Sequence, residues 1–462
     1  MAGRSTFALV AVLLWPAASA QEWRAGVDPR VELMSILFRL AGNNEYHQCR
    51  APAYDKAIES YFASYRYHGA AQLARNLGAG FAGPMKLAVH VADVDSLGER
   101  VPFDRSGFHL YESWDADKAR RFLGAARRFV ADTNFHGFLN SQKALYDATN
   151  ARLQAFIPDQ ADLGWFARFF GPQPTARLMI VPGLANGAAS YAARVVDAGG
   201  AQEIYAIPGV SKVDAEGIPV FDADWRITMV IEFVHVYASP AATKLATLAE
   251  KAARQMYEPV AEAMQRQSYG NWKSMLEASL ARAAAIEYVM EHDGPDAARK
   301  VLRRENTRSF FWMAGLVDVL ESYRQGREQY PTFESFMPRV AEFFSATAPK
   351  MRELTDRFQP RVLATSIADG AQNVDPGLKQ IVVHFSLPMN PAGPNKSAKL
   401  SGGRFDATGK VLTIPVTLEP RREYAIPLRW SGGQPFVSAD GVPLPATVLH
   451  FRTAAAASPK PK

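Results

Sequence analysis

Between Met229 and Ala238 the chain reads MVIEFVHVYA, and its only strongly polar side chains are Glu232 and His235. They stand three residues apart, so on a helix they share a face, one above the other. A carboxylate on so apolar a helix is costly to bury unless it has partners. Two kinds of chemistry suit the pair. One is a buried carboxylate–imidazole hydrogen bond, which the pattern alone favours. The other is metal ligation, because Glu-x-x-His is the ligand pair of di-iron carboxylate bundles. One turn from His235 brings Ile231 or Ser239 and two turns back Thr228, so this helix offers no second imidazole.

Elsewhere the reactive residues are sparse. The single cysteine, Cys49, lies near His47 without a Cys/His signature, so it reads as a structural thiol, and no intramolecular disulfide is possible. The small-residue loop Pro182–Ser190 lacks both the Walker spacing and G-x-G-x-x-G, which excludes a phosphate cradle. No G-x-S-x-G elbow or Cys-x-x-Cys occurs. Carboxylate pairs for glycoside hydrolysis cannot be read from spacing alone.

The elements that must position Glu232 and His235 follow from pattern. Asp222 and Asp224 can cap a helix opening at Trp225, and Pro240 closes or breaks it. Further helices are expected at Ala242–Gln267, Asn271–His292, Asp296–Arg304, Ser309–Arg324 and Thr332–Phe344. Upstream, Val31–Ala41 and Tyr54–Leu77 have helical spacing, and Asp115–Phe156 reads as two or three helices. Met85–Val91, Ala176–Val181 and Gln202–Ile207 read as strands. Past Phe358-Gln359-Pro360 the texture changes to short alternating runs divided by Gly, Pro, Asn and Asp. Gln380–Phe385, Val411–Ile414, Tyr424–Leu428 and Thr447–Phe451 are the strands of a small β-sandwich.

The first residues form an export signal. A basic head ending at Arg4 precedes the apolar run Phe7–Trp15, and Ala18-Ser19-Ala20 supplies small residues for cleavage. The run is shorter than the roughly 20 residues that a permanent span needs, so a mature protein without a membrane span, starting at Gln21, is expected in the periplasm or outside the cell. With 462 residues, 48% hydrophobic and 21% charged, two or three ordinary globular domains are expected. The net charge of +6 is mild, and pairs such as Arg120-Arg121 and Arg303-Arg304 are scattered, which argues against nucleic-acid binding.

The run Ile231–Pro240 (IEFVHVYASP) resembles the H-E-F-x-H-x-F-x-x-P helix of a family of poorly characterised bacterial zinc metallopeptidases. Val27–Leu33 (VDPRVEL), Leu184–Gly187 (LANG) and Tyr330–Pro338 (YPTFESFMP) are similar to that family too. In such a motif two histidines grip zinc and the glutamate activates a metal-bound water. The resemblance therefore implies Glu232 as catalytic base and His235 as a zinc ligand. It places Ile231, which cannot bind metal, at the first ligand. The third ligand is expected on Asn271–His292, where alignment on Leu280–Ala283 puts Ala278 at the carboxylate position. Glu277 is the neighbouring metal-ligand candidate, and Glu287 and Glu291 read as surface residues. His47, His68, His90 and His136 each read as core or surface histidines. Any one that reached the motif helix would give an active metal-dependent peptidase with a rearranged ligand set.

The stretches Asp369–Pro376 and Ile381–Met389, with the closing Phe451-Arg452-Thr453, resemble the bacterial Ig-like domain, which usually serves as spacer or adhesive surface. The expected organisation is a signal peptide (1–20), a mostly helical zincin-like domain with a small sheet (21–357), an all-β Ig-like sandwich (361–454) and a disordered tail (455–462), an α+β chain overall. In a zincin-like fold an edge strand beside the motif helix holds an extended peptide, and Gln202–Ile207 is the candidate edge. The expected function is that of a catalytically impaired metallopeptidase homologue, a binding or scaffold protein of the cell envelope with a peptide or protein ligand.

Overall fold

The computed structural model describes residues 22–78, 82–104, 114–171, 176–187, 189–391, 403–429 and 434–455. The export segment at 1–20 and the tail from 456 onward lie outside them. The chain is α+β and mostly helical, and it divides into two compact units. The first is Met1–Arg168 with Pro172–Met229, and the second is Phe169–Gly171 with Val230–Lys462.

The first unit opens with β1 (Trp23–Ala25) and α1 (Pro29–Leu40). Asp28 caps α1 by accepting from the Arg30 N–H, and Pro29 suits the first turn because its missing N–H is not needed there. Helix α1 is buried all round from Val31 to Leu40, including Glu32, Ser35 and Arg39. Then come α2 (Pro52–Phe62), α3 (Gly69–Leu77) and α4 (Gly83–His90). The expected Tyr54–Leu77 helix is therefore broken, with His68 capping α3.

Of the expected strand Met85–Val91, all but the last residue lies in α4. Met85, Leu87, Ala88 and Val89 are all buried, and α4 packs against α1. Burial on more than one side erases the helical period, so a short apolar run of this kind reads equally well as a strand. The Asp115–Phe156 stretch forms three helices, as expected: α5 (Ala116–Asp132), α6 (Phe135–Ser141) and α7 (Lys143–Gln160). After α8 (Gly164–Phe170) come β2 (Ala176–Ile180), β3 (Tyr191–Val196) and β4 (Gln202–Ile207).

The sheet order is β1-β2-β4-β3, with β3 antiparallel and the others parallel. Strand β4 is thus interior, with Leu178↔Ile204 on one side and Arg194↔Ile204 on the other. Gln202–Ile207 is not the peptide-binding edge expected from sequence. Both its hydrogen-bonding rows are already used, and the edges are β1 and β3.

Helix α9 (Ala223–Tyr237) contains the boundary between the units. The second unit continues with α10 (Ser239–Leu248), α11 (Glu250–Tyr257) and α12 (Ala261–Arg266), which replace one expected long helix. Helix α13 (Trp272–Thr307) is broken at Gly294, whose φ is +82°, so it carries both expected helices on either side of a kink. α14 (Met313–Gln325), α15 (Met337–Thr347) and α16 (Met351–Phe358) follow.

The C-terminal region is all β. β5 (Val362–Thr365), β6 (Ala371–Val374), β7 (Gln380–Phe385), β8 (Arg404–Phe405), β9 (Val411–Pro415), β10 (Glu423–Pro427) and β11 (Val448–Thr453) form sheets of order β10-β11-β6 and β5-β7-β9-β8. Ile381, Val383 and Leu412 of one sheet share a core with Leu449 and Phe451 of the other. Among the described residues no helix is long and apolar enough to cross a membrane.

Candidate functional site

Helix α9 starts where sequence chemistry places it. The Trp225 N–H donates to Asp222 Oδ1 at 3.0 Å, and Pro240 sits in the first turn of α10. Glu232 is buried at 8% exposure, while Ile231 and His235 are half-buried. The expected carboxylate–imidazole hydrogen bond does not form. Neither side chain makes a hydrogen bond or ion pair with any described residue.

Burial decides their charge. Desolvation pushes the Glu232 carboxyl up to about 8, against the pull of the Arg282 guanidinium. Desolvation lowers His235 to about 4, and Arg282 acts in the same direction. At neutral pH the pair is a protonated carboxyl and a neutral imidazole.

Arg282 is a buried charge that the sequence reading did not single out. It lies in α13 at 8% exposure, in the run LARAAAI where it is the only charged residue. That isolation is the signal which singled out Glu232 and would have found Arg282 as well. Its Nη1 donates to both carboxylate oxygens of Glu305 at 3.1 and 2.9 Å, and its Nη2 donates to the Tyr269 hydroxyl at 2.9 Å. The guanidinium also lies over the Phe310 ring, 5.0 Å from its centroid. Its Nε is buried and has no acceptor.

The proposed ligand positions do not assemble a metal site. Ala278 is fully buried on α13, while Glu277, the ligand candidate beside it, is exposed. Glu287 is also in α13 but is not the surface residue expected. It is 3% exposed and faces Arg324 of α14 at 3.5 Å, and burial pushes its carboxyl up to about 7. Glu291 is exposed.

The four histidines weighed above as possible ligands are occupied within the first unit. His47 pairs with the Arg39 carbonyl and His90 with the Lys86 carbonyl. His68 pairs with Asp132 and His136 with Asp95. Among the described residues no three His, Cys, Asp or Glu side chains come together to hold a metal ion. A catalytic zinc needs three protein ligands and an open position. His235 with a protonated Glu232 does not meet that need, so no reaction step through zinc follows from this centre.

Two of the sequence stretches set apart above do meet, in the first unit. Glu32 Oε1 accepts from the Leu184 N–H at 3.1 Å, and its Oε2 accepts from the Tyr54 hydroxyl at 2.6 Å. The Ser35 hydroxyl donates to Asn186 at 2.7 Å. Burial pushes Glu32 up to about 7 although both hydrogen bonds favour its charged form. Gly187 closes the stretch with φ +59°, and a Cβ there would lie 2.2 Å from the Gln48 carbonyl oxygen. This arrangement is a scaffold: each polar group is satisfied by another protein group. The Cys49 thiol joins it by donating to the Leu184 carbonyl at 3.3 Å, and burial raises it to about 11, far from a reactive thiolate.

A cleft of about 590 Å³ opens at the C-terminal ends of β1 and β2. Among its charged lining residues, Asp28 pairs with Arg30 and Asp95 with His136. No curated protein and no solved structure matches the chain. A sequence model for the family described as "Domain of unknown function (DUF4932)" matches residues 25–343, more than half of the chain, and the chain belongs to that family.

Proposed function

We propose that this protein is an exported metallopeptidase homologue whose zinc centre has been dismantled, and that it acts by binding a peptide or protein in the cell envelope. In this reading residues 21–357 are a zincin-like domain and 361–454 an Ig-like sandwich that spaces the binding domain or adds adhesive surface. The observation that carries the reading is the state of the motif helix. In the resemblance, Glu232 and His235 keep the base and second-ligand positions, and Ile231 and the buried Ala278 of α13 fall at the two other ligand positions, where neither side chain can bind a metal. The shared core of the two C-terminal sheets supports the sandwich assignment. The scattered arginines and the absence of a spanning helix among the described residues fit a protein ligand better than nucleic acid or a bilayer interior.

The test is proteolysis of a fluorescently labelled unfolded casein by the purified mature protein with added zinc. No cleavage above a heat-treated control is expected. Cleavage that a chelator abolishes and zinc restores would sink the proposal and return the centre to an active enzyme.

A further inference from the structure

A second cleft of the first unit, about 540 Å³, opens at the N-terminal end of α9. The last turn of α7 supplies Phe156, Asp159 and Gln160 to it, and the segment leading into α9 supplies Phe221 and Asp222. Its apolar lining is aromatic. The half-buried rings of Phe156 and Phe221 stand 6.1 Å apart, and the buried Trp225 packs on both, with centroids at 5.9 and 4.5 Å. The indole Nε1 of Trp225 is buried without an acceptor. A buried donor left open calls for an explanation, and an acceptor arriving with a ligand supplies one.

The charges around this cleft leave one carboxylate over. Asp222 and Asp224 share Lys212, at 2.5 and 3.7 Å. Arg152 is committed to Asp214 at 2.5 Å and to the Ile218 and Pro219 carbonyls. Arg226 donates to the Gln160 carbonyl at 2.8 Å. Asp159 is exposed and has no partner among the described residues. It stands in the last turn of α7, which carries no basic residue. The carbonyls at a helix C-terminus already favour a cation, so a carboxylate there adds to the negative end instead of offsetting it.

We infer that this cleft binds a lysine or arginine side chain of a peptide or protein partner, with the cationic head at Asp159 and the C-terminal end of α7 and the alkyl stem on the Phe156 and Phe221 rings. Long cationic side chains suit such a site because the stem covers apolar surface while the head stays with charge and water, and a cation beside an aromatic face gains further. The volume is that of a small-ligand site. A bare metal ion fits less well, since among the described residues no three acidic or imidazole groups converge. The inference goes beyond the reading of the zinc centre and does not depend on it: an active and a dismantled enzyme would carry the same cleft. The chain as a whole has a net charge of +6, so its long-range field disfavours a basic peptide, and a preference for one must come from a local site.

The experiment titrates the mature protein into a fluorescein-labelled peptide in which lysines alternate with alanine and leucine, and into the same peptide with glutamate in place of lysine, reading fluorescence anisotropy. The lysine peptide is expected to bind about tenfold tighter or more than the glutamate peptide. Asp159→Asn, at an exposed position, is expected to weaken the lysine peptide about threefold or more, and Asp159→Lys to weaken it further. Glu353→Gln removes an exposed carboxylate in the first turn of α16 and is expected to leave binding unchanged. Circular dichroism checks that each variant folds. Absence of binding of the lysine peptide at about 1 mM protein, equal binding of the two peptides, or an Asp159→Asn affinity no lower than that of Glu353→Gln would each overturn the inference. Zinc-dependent cleavage of casein tests the centre on α9 separately and leaves this inference standing.

Discussion

Replacing Glu232 by glutamine keeps the shape of the protonated side chain and removes its ability to ionise. The wild-type carboxyl is pushed from its ordinary 4.5 to about 8 by burial. Between these values the folded chain holds a proton that the unfolded chain has released, so folding stability falls as pH rises through that interval. At about 1.4 kcal/mol per pH unit the loss has a ceiling near 5 kcal/mol, and local relaxation brings it to about 2–5 kcal/mol. His235 has the opposite sign. Its imidazole is held neutral down to about 4, so its contribution is present above the ordinary 6.5 and is lost as pH falls toward 4. The two terms cancel between about 4.5 and 6.5 and leave a decline from there to about 8. Glu32 and Glu287, both raised to about 7, decline in the same sense but are common to both proteins. Urea unfolding of wild type and Glu232→Gln at pH 5 and pH 8.5 measures the difference. The variant should lie within about 1 kcal/mol of the wild type at pH 5 and exceed it by about 2–5 kcal/mol at pH 8.5. A gap that is the same at both pH values would refute the claim that burial holds the Glu232 carboxyl protonated.

Three further outcomes are expected. Glu305→Ala leaves the buried Arg282 charge with a lost partner and should cost about 3–5 kcal/mol, whereas combining it with Arg282→Met should cost less than the two single changes added together, which a denaturant double-mutant cycle resolves. Gly187→Ala places a Cβ against the Gln48 carbonyl in a left-handed backbone and should lower stability by about 3 kcal/mol or more, read as a lower thermal midpoint or loss of folded yield. The Cys49 thiol, raised to about 11 and bonded to the Leu184 carbonyl, should resist a thiol-reactive disulfide dye in native buffer and react at once in guanidinium.

Much of the scaffold around Glu232 was legible because its signals are local. Asp222 and Pro240 bracket the motif helix through cap and ring chemistry that acts within one turn. The strands of the C-terminal region showed in simple alternation, since each buries one face. What stayed hidden depends on partners far away in sequence. Residues Met85–Val91 look like a strand because α4 buries several sides at once. Strand β4 was taken for an edge because strand order in a sheet is not a local property: β3, which precedes it in sequence, pairs antiparallel along its outer side. Glu287 read as a surface acid because Arg324, the cation facing it, comes from another helix. Arg282 was legible by the same reasoning as Glu232, as a lone charge in an apolar helix. It was passed over because the motif directs attention to carboxylates and imidazoles. Around the motif helix, sequence singled out Glu232 and His235, and only the packed structure shows that Arg282 is held by Glu305 and Tyr269.

The most direct test of a dismantled zinc centre is the zinc content of the purified mature wild-type protein after incubation with excess zinc and desalting, measured by mass spectrometry against protein concentration. Zinc far below one ion per chain is the expected result, because His235 and a protonated Glu232 leave the ion without a ligand set. Retention of about one zinc per chain would contradict it, since a closed set of three protein ligands would then have to exist around His235.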